Sequence, residues 1–198
     1  MGTIKTTNIE TITGSGTLTL GQSGETVSIP TNTTLGASGT TITVPSGCTI
    51  TNNGTQTGFG GANSPYFQAY QSGSAQTIGD TWTKVQINDE IVDSANAYDN
   101  SSNYRFTPQT AGKYFIYGQV TSATSTDMDR CMSGIYLNGS RVSQTNSYNG
   151  DSSSAHTATI VDLNGSSDYV ELYGYFGVST STDLQGRACF FGGYKLID

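Results

Sequence analysis

Ala111-Gly112-Lys113-Tyr114-Phe115-Ile116-Tyr117-Gly118-Gln119-Val120 is the most apolar and aromatic strand-like run in an otherwise polar chain. Tyr, Phe, Ile and Val suit a pleated, half-buried surface. Alternate residues of a strand point to opposite sides, so Tyr114, Ile116 and Val120 share one face and Phe115 and Tyr117 the other. A strand with one wet face alternates apolar with polar. This run does not, so both faces are expected to be covered. One would lie on the core of its own domain. The other would need a second layer or a second subunit.

The same two-sided pattern recurs at 168–176. Val170, Leu172 and Phe176 fall on one side, and Tyr169, Glu171, Tyr173 and Tyr175 on the other. The apolar side suits a core. The tyrosine side suits a subunit interface, where a ring with a polar tip is favoured. Tyr114, Phe115, Tyr117, Tyr169, Tyr173 and Tyr175 are therefore the candidate interface residues.

Between these runs lie short strands and tight turns. Tyr66-Phe67-Gln68-Ala69-Tyr70 reads as a strand, and Trp82–Ile87 alternates, with Trp82, Lys84 and Gln86 opposite Val85 and Ile87. Asp89–Asn103 reads as a long loop containing Tyr98-Asp99. Asn-Gly supplies the two positive-φ positions of a two-residue hairpin turn, and Asn138-Gly139 sits between Ile135-Tyr136-Leu137 and Arg141-Val142. No stretch sustains the 3.6-residue apolar period of a helix. The fold class expected is all-β.

Flanking motifs sharpen this. Tyr104-Arg105-Phe106-Thr107-Pro108 precedes the central run, Leu137-Asn138-Gly139 follows it, and Asp168-Tyr169-Val170-Glu171-Leu172 and Phe191-Gly192-Gly193-Tyr194-Lys195-Leu196 come later. Their order, from about Pro65 to the C-terminus, resembles the globular head of the complement 1q and tumour necrosis factor superfamily. The resemblance implies a jelly-roll β-sandwich that assembles as a homotrimer, sometimes with calcium near the trimer axis.

Residues 1–60 differ in kind. Leu20-Gly-Gln-Ser-Gly-Glu-Thr-Val-Ser-Ile-Pro-Thr31 matches Leu35-Gly-Ala-Ser-Gly-Thr-Thr-Ile-Thr-Val-Pro-Ser46 at an offset of 15 residues. Repeats at a fixed period mark stacked units that cannot bury their apolar faces alone. A threonine-rich linker would have no reason to keep Leu20, Leu35 and Ile50 in register. The segment is similar to stem repeats of marine bacteriophage tail fibres. The domain expectation is a repetitive β stem over 1–60 and a jelly-roll head over 61–198, with Phe59-Gly60-Gly61 as the junction.

The chain has 198 residues and a formal net charge of −7, with only 8 Lys plus Arg. Nucleic-acid binding calls for a basic footprint, so neither nucleic acid nor an anionic membrane surface is an expected partner. No run approaches the ~18 apolar residues of a membrane span. Three cysteines, Cys48, Cys131 and Cys189, with no secretory leader in the sequence read as reduced thiols. Synthesis in a host cytoplasm and residence in a virion are the expected location.

Catalysis needs groups that titrate or attack near neutral pH, and the chain has a single histidine, His156. Ser154 shares its strand face, but no orienting acid is evident. Gly14-x-Gly16 and Gly21-x-x-Gly24 precede no helix, so they are turn glycines and not a phosphate loop. No cofactor and no enzyme activity are expected. Asp127 and Asp129, and Asp89, Glu90 and Asp93, could offer hard oxygen ligands to calcium, though without the spacing of a dedicated loop.

Recognition is expected from loops on a rigid scaffold: Tyr148, Asn149 and Asp151 in one, Ser179 to Asp183 in another. The function expected is a trimeric virion fibre or spike that attaches to a host surface glycan or protein and is anchored to other virion proteins through its stem. A capsid decoration or tail-assembly protein is the alternative, followed by a cellular adhesin.

Overall fold

A computed structural model describes residues 41, 43–49, 51, 63–73, 76–123, 127–148 and 153–197. The chain divides into two compact units, Met1–Thr55 and Gln56–Asp198. In the first, the described part is an exposed turn in which Cys48 N–H donates to Pro45 O at 3.2 Å, with Gly47 at φ +85°. The 15-residue repeat and Asn149 and Asp151 lie essentially outside the described residues.

Among its described residues the second unit has thirteen strands, eleven in the two sheets of a β-sandwich and β2 and β12 in a small third sheet: β1 (Tyr66–Tyr70), β2 (Thr77–Ile78), β3 (Thr83–Lys84), β4 (Asp89–Asp93), β5 (Tyr98–Asp99), β6 (Arg105–Phe106), β7 (Gly112–Thr121), β8 (Arg130–Leu137), β9 (Ser140–Tyr148), β10 (Ser154–Leu163), β11 (Val170–Gly177), β12 (Thr182–Asp183) and β13 (Phe190–Lys195). Among the described residues the only helical element is a 3-10 turn, Gly186–Ala188. One sheet runs β10-β7-β13-β1-β4; the second runs β5-β6-β11-β8-β9, with β3 also on β11. All named pairs are antiparallel. The opening run is β7, central in the first sheet between β10 and β13.

The period-two reading of β7 and β11 holds. Tyr114, Ile116 and Val120 are fully buried between the sheets, as are Val170, Leu172 and Phe176. Tyr114 is therefore a core residue and not an interface residue. It is 0% exposed within a single chain, its hydroxyl donates to Thr110 O at 2.7 Å, and burial pushes its pKa up to about 12. Phe67 of β1 centres an aromatic cluster, stacked on Phe106 at 4.3 Å and Tyr98 at 4.9 Å, with Phe191 edge-on at 5.1 Å. Such pairs contribute about 0.5–1.5 kcal/mol beyond their area.

The central strands interlock across the sandwich. A Cβ on Gly118 of β7 would lie 2.6 Å from Leu172 Cδ1 of β11, and one on Gly174 of β11 would lie 3.0 Å from Val120 Cγ1 of β7. Each glycine is the hole for a side chain of the other strand.

The Asn138-Gly139 hairpin forms between β8 and β9, with both residues at positive φ, +50° and +77°. The alternation over 82–87 also holds: Val85 and Ile87 are buried at 1% and 0%. Only Thr83–Lys84 is laddered, because the Gln76 side chain stands in for a strand. Its Nε2 donates to Lys84 O and its Oε1 accepts from Gln86 N–H, both at 2.8 Å.

Residues 89–103 are not one loop. Asp89–Asp93 is an edge strand on β1 with a bulge at Gln68/Ala69. Its flanking carboxylates and exposed Ile91 obscure it in the sequence, and an edge strand has no second neighbour to demand alternation. Cys131 and Cys189 are buried free thiols and Cys48 is an exposed one. Burial raises Cys131 to about 12 and also pushes Cys189 up, so neither buried sulfur is a nucleophile near neutral pH.

Candidate functional site

Each sheet turns one face to the core and one outward, and the outward faces differ. On the first sheet, Phe115 and Tyr117 of β7 and Phe190 and Tyr194 of β13 lie half-buried and in contact. Phe115 is 5.6 Å from Tyr194 and Tyr117 is 6.3 Å from Phe190, ring centre to ring centre. Tyr66, Val92 and Ile160 extend the patch at 43%, 38% and 58% exposure. A contiguous exposed apolar patch on a soluble domain marks a contact site.

On the second sheet, the outward face carries Tyr136 of β8 and Tyr173 and Tyr175 of β11, with Tyr169 just before β11. Tyr136 and Tyr173 stack at 3.9 Å, and Trp82 lies 6.1 Å from Tyr136 and 5.8 Å from Tyr175. Trp82 can lie there because Gly134 beneath it has no side chain; a Cβ would meet Trp82 Cζ3 at 3.0 Å. Three guanidinium groups lie on these rings: Arg105 over Tyr169 at 4.4 Å, Arg141 over Trp82 at 4.7 Å and Arg130 over Tyr175 at 5.2 Å. Glu171, 4% exposed, is neutralised by Lys84, whose Nζ lies 2.6 Å from its Oε1. Burying a charge is costly unless it is paired.

The six interface candidates are thus not gathered in one place. Tyr114 is in the core, Phe115 and Tyr117 are on the first outward face, and Tyr169, Tyr173 and Tyr175 are on the second, opposite face. The missed members are Tyr194 and Phe190 on the first face, and Trp82, Arg105 and Arg141 on the second. The ladder pairing of β13 with β7 reveals the former, and no local motif does.

The described loop candidates are Tyr148, Ser179 and Asp183, and the segments around 122, 153 and 183 meet at one end of the sandwich. Ser122 N–H donates to Ser153 O at 3.0 Å, and Ala123 N–H donates to Asp183 O at 2.8 Å. Tyr148 ends β9 opposite Arg130 and is 62% exposed. Asp183 belongs to β12, paired with β2, so it is part of a short ladder and not of a free loop. Ser179 donates to Asp127 through its N–H at 3.0 Å and through its hydroxyl. Asp80, Asp127, Asp129, Arg130 and Ser179 line an open cleft of about 440 Å³ there.

Most of the calcium candidates are engaged within the chain. Asp89 accepts from Tyr70 Oη at 2.5 Å, Asp93 accepts from Tyr98 N–H at 2.8 Å, and Asp129 lies 3.6 Å from Arg130 Nε. Among the described residues no group of three carboxylate, histidine or cysteine side chains is arranged to hold a metal. His156 is exposed on β10 beside Phe190, 6.2 Å between ring centres, whereas Ser154 Oγ sits 2.9 Å from Thr121 Oγ1. The two do not form a nucleophile and base.

The sandwich resembles solved structures. The globular domain of zebrafish complement 1qA covers 67% of this chain and 97% of its own at 14% identity, with a TM-score of 0.52. Murine APRIL covers 66% of this chain and 98% of its own at 13% identity, with a TM-score of 0.51. No family model matches the chain, and no curated protein matches it. The fold is the complement 1q and tumour necrosis factor jelly roll, occupying the C-terminal part of the chain. The proteins it resembles carry the names of a complement component and of APRIL, and neither name is that of an enzyme.

Proposed function

We propose that this chain is the homotrimeric, non-catalytic recognition head of an attachment fibre, carried on a repetitive stem over 1–60 and displayed on a virion. The observation that carries this is the outward face of the first sheet. A single chain leaves Tyr66, Val92 and Ile160 exposed around the half-buried Phe115, Tyr117 and Tyr194. A second and third copy would remove that patch from water. The jelly roll fits such an assembly, and the 15-residue repeat suits a stalk made of several chains.

Three copies present each end loop three times. Linked weak sites gain avidity of about 10²-fold or more when geometry permits simultaneous contact. Tyr148, Ser179 and the neighbouring Asn149 and Asp151 are the loop residues offered to a host glycan or protein. Light scattering on a sizing column should give about three times the 20.8 kDa chain mass, and the labelled protein should bind host cells. A stable monomer at micromolar concentration would refute the trimer. Binding to purified virion proteins but to no host cell would replace attachment with capsid decoration.

A further inference from the structure

We propose that the outward face of the second sheet is a binding surface for a glycan bearing isolated carboxylates, in uronic or sialic acid sugars. The inference rests on the attachment reading for its setting, and it concerns a different surface from the end loops.

The chain carries 8 basic residues against 15 acidic ones. Four of the basic residues, Lys84, Arg105, Arg130 and Arg141, gather on or around this one face. Lys84 is spent on Glu171, and Arg130 has Asp129 beside it at 3.6 Å. Arg105 and Arg141 have no carboxylate within ion-pair distance among the described residues. Asp99, which faces Arg105 across the β5–β6 ladder, gives its oxygens to the amides of Ser101, Ser102 and Asn103 at 2.9–3.1 Å. Those bonds hold its carboxyl well below the usual carboxylate range.

The placement of the guanidinium groups matters as much as their charge. Each lies over an aromatic ring and is held by that cation–π contact. A guanidinium whose charge is held by a ring and not by a carboxylate keeps N–H groups for an incoming carboxylate, in the fork geometry that makes such pairs strong. Between them lies the continuous surface of Trp82, Tyr136 and Tyr173. A ring face is the negative side of its quadrupole and attracts the positively polarised C–H face of a sugar. Gln144 and Asn146 lie opposite Gly134 and Met132 on the neighbouring edge strand β9 and are exposed, where their amides can serve sugar hydroxyls.

Charge decides between polyanions. With a net charge of −7 and 8 Lys plus Arg, the molecule has no extended basic footprint for a polyphosphate. Nucleic acid draws its affinity from many phosphate contacts, and two unpaired arginines cannot supply them. A sugar chain with one carboxylate per one or two residues matches two isolated guanidinium groups flanking a ring surface.

The test uses the full-length protein and follows fluorescence from Trp82, the only tryptophan in the chain. Oligogalacturonate and sialyllactose are titrated in separate arms, with dextran and a single-stranded DNA oligonucleotide as controls. At least one acidic sugar should change Trp82 emission saturably at millimolar concentration or below, with dextran and DNA at least tenfold weaker. Arg105→Gln with Arg141→Gln should weaken that binding at least tenfold with the melting temperature unchanged. Lys113→Gln with Lys195→Gln, the same charge change made on the first sheet, should weaken it less than twofold. Failure of both acidic sugars to bind, equal loss in the two double variants, or tighter binding of DNA would overturn the proposal. If the arginine variant still attaches to host cells as the parent does, this surface is not the attachment site, and the attachment reading itself survives.

Discussion

The two outward faces come from strands with the same two-residue alternation, yet they are opposite in chemistry. The first carries Phe115, Tyr117, Phe190 and Tyr194 with exposed Ile160 and Val92 and little charge at its centre. The second carries aromatic rings under arginines, with the buried Glu171 paired at 2.6 Å to a part-exposed Lys84. Apolar rings without charge are best removed from water by another protein surface. Rings topped by cations keep their wet side and lose by being buried, because stripping water from unpaired guanidinium groups is costly. A sandwich can therefore assign one side to self-association and keep the other for a solvated partner.

The sharpest way to break this contrast is a charge placed on each face in turn. Phe115→Asp should dissociate the proposed trimer, since leaving an unpaired charge in a contact costs about 3–5 kcal/mol. Tyr136→Asp, opposite Arg141 in the β8–β9 ladder, should leave the trimer mass intact. Sizing with light scattering reads both, and the reverse result would exchange the roles of the two faces.

Filling the ring-covered glycines asks the same question more gently. A Cβ on Gly192 would meet Tyr117 Cζ at 2.5 Å, and one on Gly134 would meet Trp82 Cζ3 at 3.0 Å. Overpacking costs about 1–3 kcal/mol. Gly192→Ala should weaken trimer association with tryptophan emission unchanged. Gly134→Ala should shift Trp82 emission to the red with association unchanged. Emission shifts in both variants, or in neither, would mean that the faces are not independent.

The smallest effect lies beside Arg105, at Asp99. Its carboxyl titrates below the ordinary range because the amides of Ser102 and Ser101 hold it. The sign follows from the lowered value: this contribution is present above pH ~4 and is lost as pH falls through the lower folded value. Asp99→Asn should cost about 1 kcal/mol or less at pH 7, as for other side-chain caps, and the difference from the parent should narrow in acid. Urea titrations at pH 7 and pH 3 measure it. A difference that widens in acid would contradict the assignment.

Much of the sandwich is legible in the sequence, because alternation at Tyr114–Val120 and Val170–Phe176 marks core and non-core sides, and Asn138-Gly139 sets a register. Alternation also has a limit. It says that Phe115 and Tyr173 both point away from the core, but not that they point in opposite directions. That fact resides in sheet membership, fixed by pairings between residues as distant as Phe115 and Tyr194. Tyr114 was open to misreading for a related reason, since a tyrosine buried to its hydroxyl looks the same in sequence as one at an interface. Asp89–Asp93 was hidden because an edge strand with exposed Ile91 and Val92 has no alternation to display. The arginine-topped rings were invisible for want of any local spacing, as Trp82, Tyr136 and Arg141 come from three separate segments.

The reciprocal fit of Leu172 over Gly118 and Val120 over Gly174 carries a consequence for how this chain can vary. A methyl group on Gly118 would force Leu172 to shift and one on Gly174 would crowd Val120 and Ile78, while truncating Leu172 would open a cavity, at about 2–5 kcal/mol for Leu→Ala. Four positions separated by some fifty residues of chain are therefore coupled as two packed pairs. Because the pairs run in opposite directions across the same interface, sliding one sheet past the other breaks both at once. A substitution on either outward face leaves these two contacts, and the alignment of the sheets that they set, in place.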